Sequence, residues 1–482
     1  MAKFDETPII KDPARDGIVT APELREHATA GVHCWPGKEK DFTAIGLPPE
    51  RVANWQEKAI EKFGELLEKN KALRVYMDIC VRCGACTDKC QFFLGTGDPL
   101  NFPVARAELM RKVYRRYFTP GGRAFPQLND AADFDEEMLQ KWYTYFYQCS
   151  ECRRCSVFCP YGIDTAEITM AAREIMSSIG VATKYVTEVV AKVYETGNNL
   201  GIPSAAWKDN CEFLEEDVQE ETGLPIRFPV DDEGADILLV PPSADNFANV
   251  DTMIAYGKLF HFLGIRWTTS TYCNEGGNFG LFLNYKNLKQ VNKRIVDAAR
   301  MLGVKTIIWG ECGHAWRAAV LTPTLNGPMD MFDPPYPYHI SQFVVDMMKK
   351  GAFEGKIDKS ANDDLIVTYH DPCNTARAGQ LLEEPREIIR AACNHFVEMP
   401  ADTIREKTFC CGGGGGLLTD EIMPIRMAGG KPRAMAVKHV KANYLATICA
   451  ICKAQLPEVM GYWDVPVQVG GVLQLLTNAL KM

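Results

Sequence analysis

Thirteen of the eighteen cysteines in this 482-residue chain fall into three tight groups, so any fold it adopts must gather sulfur at a few points. Two groups share one spacing. Cys80-x2-Cys83-x2-Cys86-x3-Cys90 is followed, 58 residues later, by Cys149-x2-Cys152-x2-Cys155-x3-Cys159-Pro160. This is the bacterial ferredoxin pattern, in which the fourth cysteine of each run ligates the cluster of the other. It implies one 4Fe–4S cubane on Cys80, Cys83, Cys86 and Cys159, and a second on Cys149, Cys152, Cys155 and Cys90. Zinc is disfavoured because no histidine fills the pattern. Gln91 stands where proline usually follows the fourth cysteine, and this removes no ligand.

The third group is Cys373-x36-Cys410-Cys411-Gly412-x36-Cys449-x2-Cys452. Soft sulfur ligands select iron–sulfur, copper or zinc chemistry. Five thiols exceed the four of a tetrahedral zinc or an ordinary cubane. Adjacent cysteines cannot readily bind one metal without strain, so Cys410 and Cys411 are assigned to different irons of one unusual cluster. Gly412 to Gly416 are five consecutive glycines. A loop without side chains lets a cluster, and a substrate sulfur, approach the backbone, with Gly412 and Gly413 nearest. Cys34, Cys211 and Cys393 belong to no motif and read as packing thiols.

With 53 basic and 62 acidic side chains the formal charge is −9, which argues against nucleic acid as a partner. The short cysteine spacings are not a disulfide framework, and Met1-Ala2-Lys3-Phe4-Asp5 opens no signal peptide, so a reducing cytoplasm is expected. No apolar run approaches the roughly 18 residues of a membrane span. Membrane association would come through a partner subunit.

The expected fold class is multidomain α+β. Residues 1–53 read as an extended N-terminal arm. From Asn54 to Met77, the apolar Trp55, Ala59, Phe63, Leu66 and Leu67 recur at helical spacing. Helical patterning continues between the cysteine runs at Leu109, Val113, Tyr117, Met138, Trp142 and Phe146, so 54–200 is read as an α-helical two-cluster domain. The basic residues Arg106, Arg111, Lys112, Arg115 and Arg116 read as a solvated helix face, with docking of an acidic partner or lipid headgroups as the alternative.

The remainder reads as α/β and repeats internally. Ile237–Ser243 resembles Leu365–Cys373, Tyr272–Gly277 falls where Cys410–Gly413 would, and Thr306–Trp309 followed by Cys312 parallels Ala446–Cys449 followed by Cys452. Buried strands that end in ligands suit the tips of an open α/β sheet. Residues 230–350 are thus a degenerate copy and 360–482 an intact one. The first copy keeps only Cys273 and Cys312, in a wall over the intact site, where they either contact the substrate or cluster or are spectators. His314 and Glu311 either exchange protons with a leaving thiolate or are structural. His370 and Asp371 either orient a ligand from behind or cap a strand end.

Residues 70–482, on these motifs and His370-Asp371-Pro372, resemble the cysteine-rich CCG-domain proteins of the heterodisulfide reductase type. Fusion of a helical two-cluster domain to two CCG repeats, without a flavin domain, is similar to the D-type chains of that family. The N-terminal arm and the degenerate repeat are most similar to the DsrK branch, from the DsrMKJOP complexes of sulfur metabolism. The resemblance implies a non-cubane 4Fe–4S cluster on Cys373, Cys410, Cys411, Cys449 and Cys452, fed by the two cubanes. It also implies a DsrM-like membrane cytochrome b in exchange with quinone, the other DsrMKJOP subunits, and a seat on the cytoplasmic face of the inner membrane. The substrate would be the disulfide or trisulfide of a small DsrC-like protein, turned over in either direction. Two competing readings are a relay from a hydroxy-acid dehydrogenase to quinone, and a non-catalytic wire and scaffold. The chain lacks a flavin or nicotinamide fingerprint and cannot take hydride by itself.

Overall fold

The computed structural model describes residues 24–25, 28–327 and 338–482. Its first half is helical. The periodic stretch after Asn54 forms two helices, Trp55–Lys69 and Lys71–Asp78, because Asn70 breaks the first and caps the second by accepting from Leu73 N at 3.1 Å. Between the cysteine runs, Pro103–Phe118 starts with proline in its first turn, where no amide hydrogen is needed. Glu136–Phe146 and Thr165–Ser178 start on the capping side chains of Asp135 and Asp164. Phe63, Leu109, Val113, Trp142, Phe146 and Ile175 from these helices form one core. Full burial of each such side chain is worth about 1.5–3 kcal/mol.

The arm departs from the extended reading. Residues 1–23 and 26–27 lie outside the described residues, but the rest of it is folded onto the molecule. Helix Glu39–Ala44 buries Phe42, and with Ile45 packs against helix Lys184–Thr196. Gly37 N donates to Ala182 O at 2.9 Å and Lys184 N to Trp35 O at 2.7 Å. A helix of six residues is too short to leave a period in the sequence.

The second half holds two parallel sheets. Strands β1 (Ile237–Val240), β2 (Trp267–Thr268), β3 (Thr306–Trp309) and β4 (Tyr338–His339) lie in the order β2-β1-β3-β4. Strands β5 (Val367–Tyr369), β6 (Tyr444–Ala446) and β7 (Gln468–Gly470) lie in the order β5-β6-β7. Phe396 makes a parallel bridge to Val367 on the free side of β5. Both sheets thus follow one plan. All are short, and β1, β2, β3, β5 and β6 are buried throughout, as parallel strands covered by helices on both faces must be, while Gln468 of β7 is exposed. Leu239 and Ile308 share one core with Val367, Tyr369, Tyr444 and Ile448, so the two repeats are packed together. Among the described residues, no helix is long and apolar enough to cross a membrane.

Candidate metal centres

Cys80, Cys83, Cys86, Cys155 and Cys159 line one cleft of the helical half. Cys90, Cys149, Cys152 and Cys155 line a second. The chain wraps each cleft tightly enough to force Arg82, Glu151 and Arg153 into positive φ. Cys83 is exposed, whereas Cys90 and Cys149 are buried, so the first cleft is the one nearer solvent.

Arg106 is buried and its charge faces Cys149, Cys90 and Cys155, while Nη2 donates to Asn101 Oδ1 at 2.6 Å. The thiols of the second cleft hold its pKa above the usual arginine value despite burial. This corrects the solvated face expected from the charge pattern. Arg111 is also buried and donates to Tyr76 O at 3.1 Å. Lys112 and Arg115 pair with Asp130, and Arg116 with Asp133. The cationic run is therefore engaged within the molecule, on Asp130 and Asp133 and, for Arg111 and Arg115, also on Glu108 of the same helix.

The third group converges as well. Cys373 follows β5, Cys449 follows β6, and Cys452 lies in the first turn of helix Ala450–Tyr462. All five thiols are buried. Cys373 Sγ lies 3.9 Å from Cys410 Sγ, and Cys410, Cys411, Cys452 and Cys449 are neighbours in turn, each near enough to shift the next thiol. Hydrogen bonds, from Cys373 first and then Cys411, hold the Cys410 thiol well below its usual range. Cys312 and then Cys452 do the same for Cys449. The partner thiols are pushed up, Cys373 and Cys411 chiefly by Cys410 and Cys452 chiefly by burial. The thiols thus titrate as one interacting group, and metal binding would take them as thiolates.

Cations and unpartnered imidazoles surround this chain of sulfurs. The Arg433 guanidinium, buried and lowered to about 10 by that burial, faces Cys452 and Cys410. Arg377 faces Cys373 and Cys152 and is held by Glu406 O at 2.9 Å and Thr408 O at 2.8 Å. His370 is buried near Cys410 and Cys449 with neither ring nitrogen bonded, and burial lowers its pKa to about 3. Asp371 instead pins the strand tip through a two-pronged pair with Arg386, at 2.6 and 2.7 Å, and accepts Arg405 N at 2.9 Å. All eighteen cysteines are free thiols. Buried sulfur, compensating positive charge and orphaned nitrogens fit an iron–sulfur centre.

The glycine run has a purpose that its composition does not reveal. A Cβ on Gly415 (φ +69) would lie 2.7 Å from Ser150 Cα and 2.8 Å from Cys149 O. Arg173 donates to Gly415 O at 2.7 Å and to Cys149 O at 2.8 Å, clamping the two backbones together. Glu151 pairs with Arg173 at 3.2 Å and Arg317 at 3.6 Å, all buried. The loop of the second cleft is therefore seated directly on the quintet, and Cys152 faces Cys410.

The degenerate repeat is more than a bystander. Sγ of Cys312, Sγ of Cys449 and a ring nitrogen of His314 all lie within 4.8 Å of one another. Cys273 stays in apolar packing, with Arg294 beside it. Glu311 does not serve the sulfurs: its carboxylate binds Lys453 Nζ at 2.5 Å and accepts Val472 N and Leu473 N at 3.1 and 2.9 Å. His314 stands edge-on to Phe282 at 4.7 Å, with Nδ1 unpartnered.

Family models match in both halves: a 4Fe-4S dicluster domain over residues 76–163 and a Cysteine-rich domain over 367–457. The chain is 44% identical to the Hdr-like menaquinol oxidoreductase iron-sulfur subunit 2 of Archaeoglobus fulgidus, covering 92% of this chain and 86% of that protein. It is 43% identical to the Hdr-like menaquinol oxidoreductase iron-sulfur subunit of Archaeoglobus profundus, over 89% and 84%. It is 24% identical to the D-type chain of the dihydromethanophenazine:CoB–CoM heterodisulfide reductase of Methanosarcina barkeri, over 84% and 94%.

Proposed function

Because this chain belongs to the family of Hdr-like iron–sulfur subunits, we propose that it is the electron-carrying and catalytic subunit of a membrane-associated oxidoreductase complex. That complex couples the quinone pool to reduction, or oxidation, of a protein disulfide or trisulfide of the DsrC kind. A DsrM-like cytochrome b would anchor it to the cytoplasmic face of the membrane. The division of labour follows the sequence: a two-cluster domain at 54–200, a degenerate repeat at 230–350 and a catalytic repeat at 360–482. Cys80, Cys83, Cys86 and Cys159 hold one cubane, Cys149, Cys152, Cys155 and Cys90 the other. Cys373, Cys410, Cys411, Cys449 and Cys452 hold a non-cubane cluster, with Gly412 and Gly413 beside it.

Clusters in these sites would supply one-electron transfer and an iron that binds sulfur. The protein's own groups do the rest. Arg106, Arg377 and Arg433 offset the negative charge of buried thiolates. Arg173 and Glu151 hold the second ferredoxin loop in register with the catalytic repeat. His314, with a free Nδ1, gives a proton to a departing thiolate or takes one from an arriving thiol.

The observation that carries this reading is the seat of the Cys149–Cys152 loop on Gly415, with Cys152 facing Cys410. Anaerobic purification of a tagged chain from its native membrane tests the partners. The expected co-purifying proteins are a cytochrome b and a small two-cysteine protein. A flavoprotein dehydrogenase in their place would overturn the proposal.

A further inference from the structure

Topology makes Cys312 the counterpart of Cys449. Each is the residue before the helix that follows a central strand, β3 or β6, in sheets of the same order. Their backbones match, with φ/ψ of −142/119 and −150/121. The two turns also abut, since Ala450 N donates to Glu311 O at 3.1 Å. The two sulfurs are thereby brought together, within 4.8 Å of each other.

Three further observations separate Cys312 from the other leftover thiols. First, Cys312, Cys449 and His314 have donor atoms mutually within 4.8 Å, all fully buried. Second, His314 Nδ1 has no partner there. Third, a Cβ on Gly313 would lie 3.5 Å from Cys449 Sγ, so the first turn of the Gly313–Asn326 helix runs along the quintet itself. Cys273, the other thiol retained by the degenerate repeat, has apolar surroundings and Arg294. Cys211 and Cys393 share an apolar core that holds none of the motif cysteines.

We propose that Cys312 is a sixth cysteine ligand of the special cluster, bound to the iron that Cys449 holds, so that both repeats build one centre. This rests on the reading of Cys373, Cys410, Cys411, Cys449 and Cys452 as cluster ligands, and adds to it. It gives the degenerate repeat a reason to keep this sulfur, which stands beside Cys449 and His314.

The test is low-temperature electron paramagnetic resonance on anaerobically oxidised holoprotein, comparing wild type with Cys312→Ser, Cys312→Ala and Cys273→Ser. The expected result is a shift of the non-cubane g-values in both Cys312 variants, with the signals of the two reduced cubanes unchanged and Cys273→Ser identical to wild type. A wild-type special signal retained in Cys312→Ala overturns the proposal. Electron–nuclear double resonance on wild-type protein carrying [β-13C]cysteine is independent of any variant's folding. Six β-carbon couplings at the special centre support the proposal, and five overturn it. Absence of any non-cubane signal in wild type would instead sink the underlying assignment.

Discussion

The two α/β repeats share strand order and helix placement but fill their strand tips with different chemistry. In the intact repeat, Cys373 and Cys410 stand 3.9 Å apart beside the glycine run. In the degenerate one, Ser243 follows β1 and donates to the Glu275 carboxylate, which also accepts Asn199 N at 3.1 Å and Gly277 N. A buried carboxylate thus satisfies the loop amides at a tip that has lost its thiols. The sheet does not need sulfur to fold, whereas the site does need sulfur, which is why ligands can disappear from one copy while its architecture persists.

This contrast can be broken experimentally. The largest expected effect is Cys410→Ala or Cys411→Ala, each predicted to abolish the non-cubane signal and turnover while cubane signals survive. Cys273→Ala, at the matching position, should change neither. Next is stability. Arg386→Met removes one partner of the buried Asp371 pair and is expected to cost about 3–5 kcal/mol. Glu275→Ala leaves its donors unpaired, at about 1–3 kcal/mol for a lost buried partner. Anaerobic thermal unfolding followed by circular dichroism ranks the two, and a smaller loss for Arg386→Met would break the comparison.

The smallest effect is a slope with pH. Burial raises the Asp245 carboxyl from 3.8 to about 7, with Tyr256 donating to it at 3.0 Å. A carboxyl raised in the fold keeps its proton while the unfolded chain releases one. Stability should therefore fall as pH rises from about 4 to about 7, and then level. Asp245→Asn is expected to flatten this contribution. A melting-temperature profile between pH 5 and pH 8 that is the same in both proteins contradicts it.

Much of this was legible in the sequence because metal ligation imposes spacing that survives without alignment. Both ferredoxin runs and the quintet could be written down from cysteine positions, as could the repeat, since strands ending in Cys373 and Cys449 have recognisable counterparts. What could not be read depended on contacts between distant segments. Arg106 looks like one cation among five until its helix is packed against the second cleft. The glycines look like room for a ligand, yet Gly415 is occupied by the backbone of Ser150, 265 positions earlier in the chain. Cys312 looks solitary because its neighbour Cys449 is set by the packing of one repeat on the other. Phe42 is lost in a proline-rich arm whose short helix gives no period. The sequence repeat pairs Cys312 with Cys452, and only the backbone at the two helix starts shows that its counterpart is Cys449.

The most direct test uses oxidised wild-type protein and a small two-cysteine carrier protein in its disulfide or trisulfide form. Electron paramagnetic resonance should show a non-cubane signal that changes when the carrier is added and one electron is supplied. A spectrum containing only cubane signals, or a non-cubane signal indifferent to the carrier, would contradict a buried thiol quintet that builds an iron centre open to substrate sulfur.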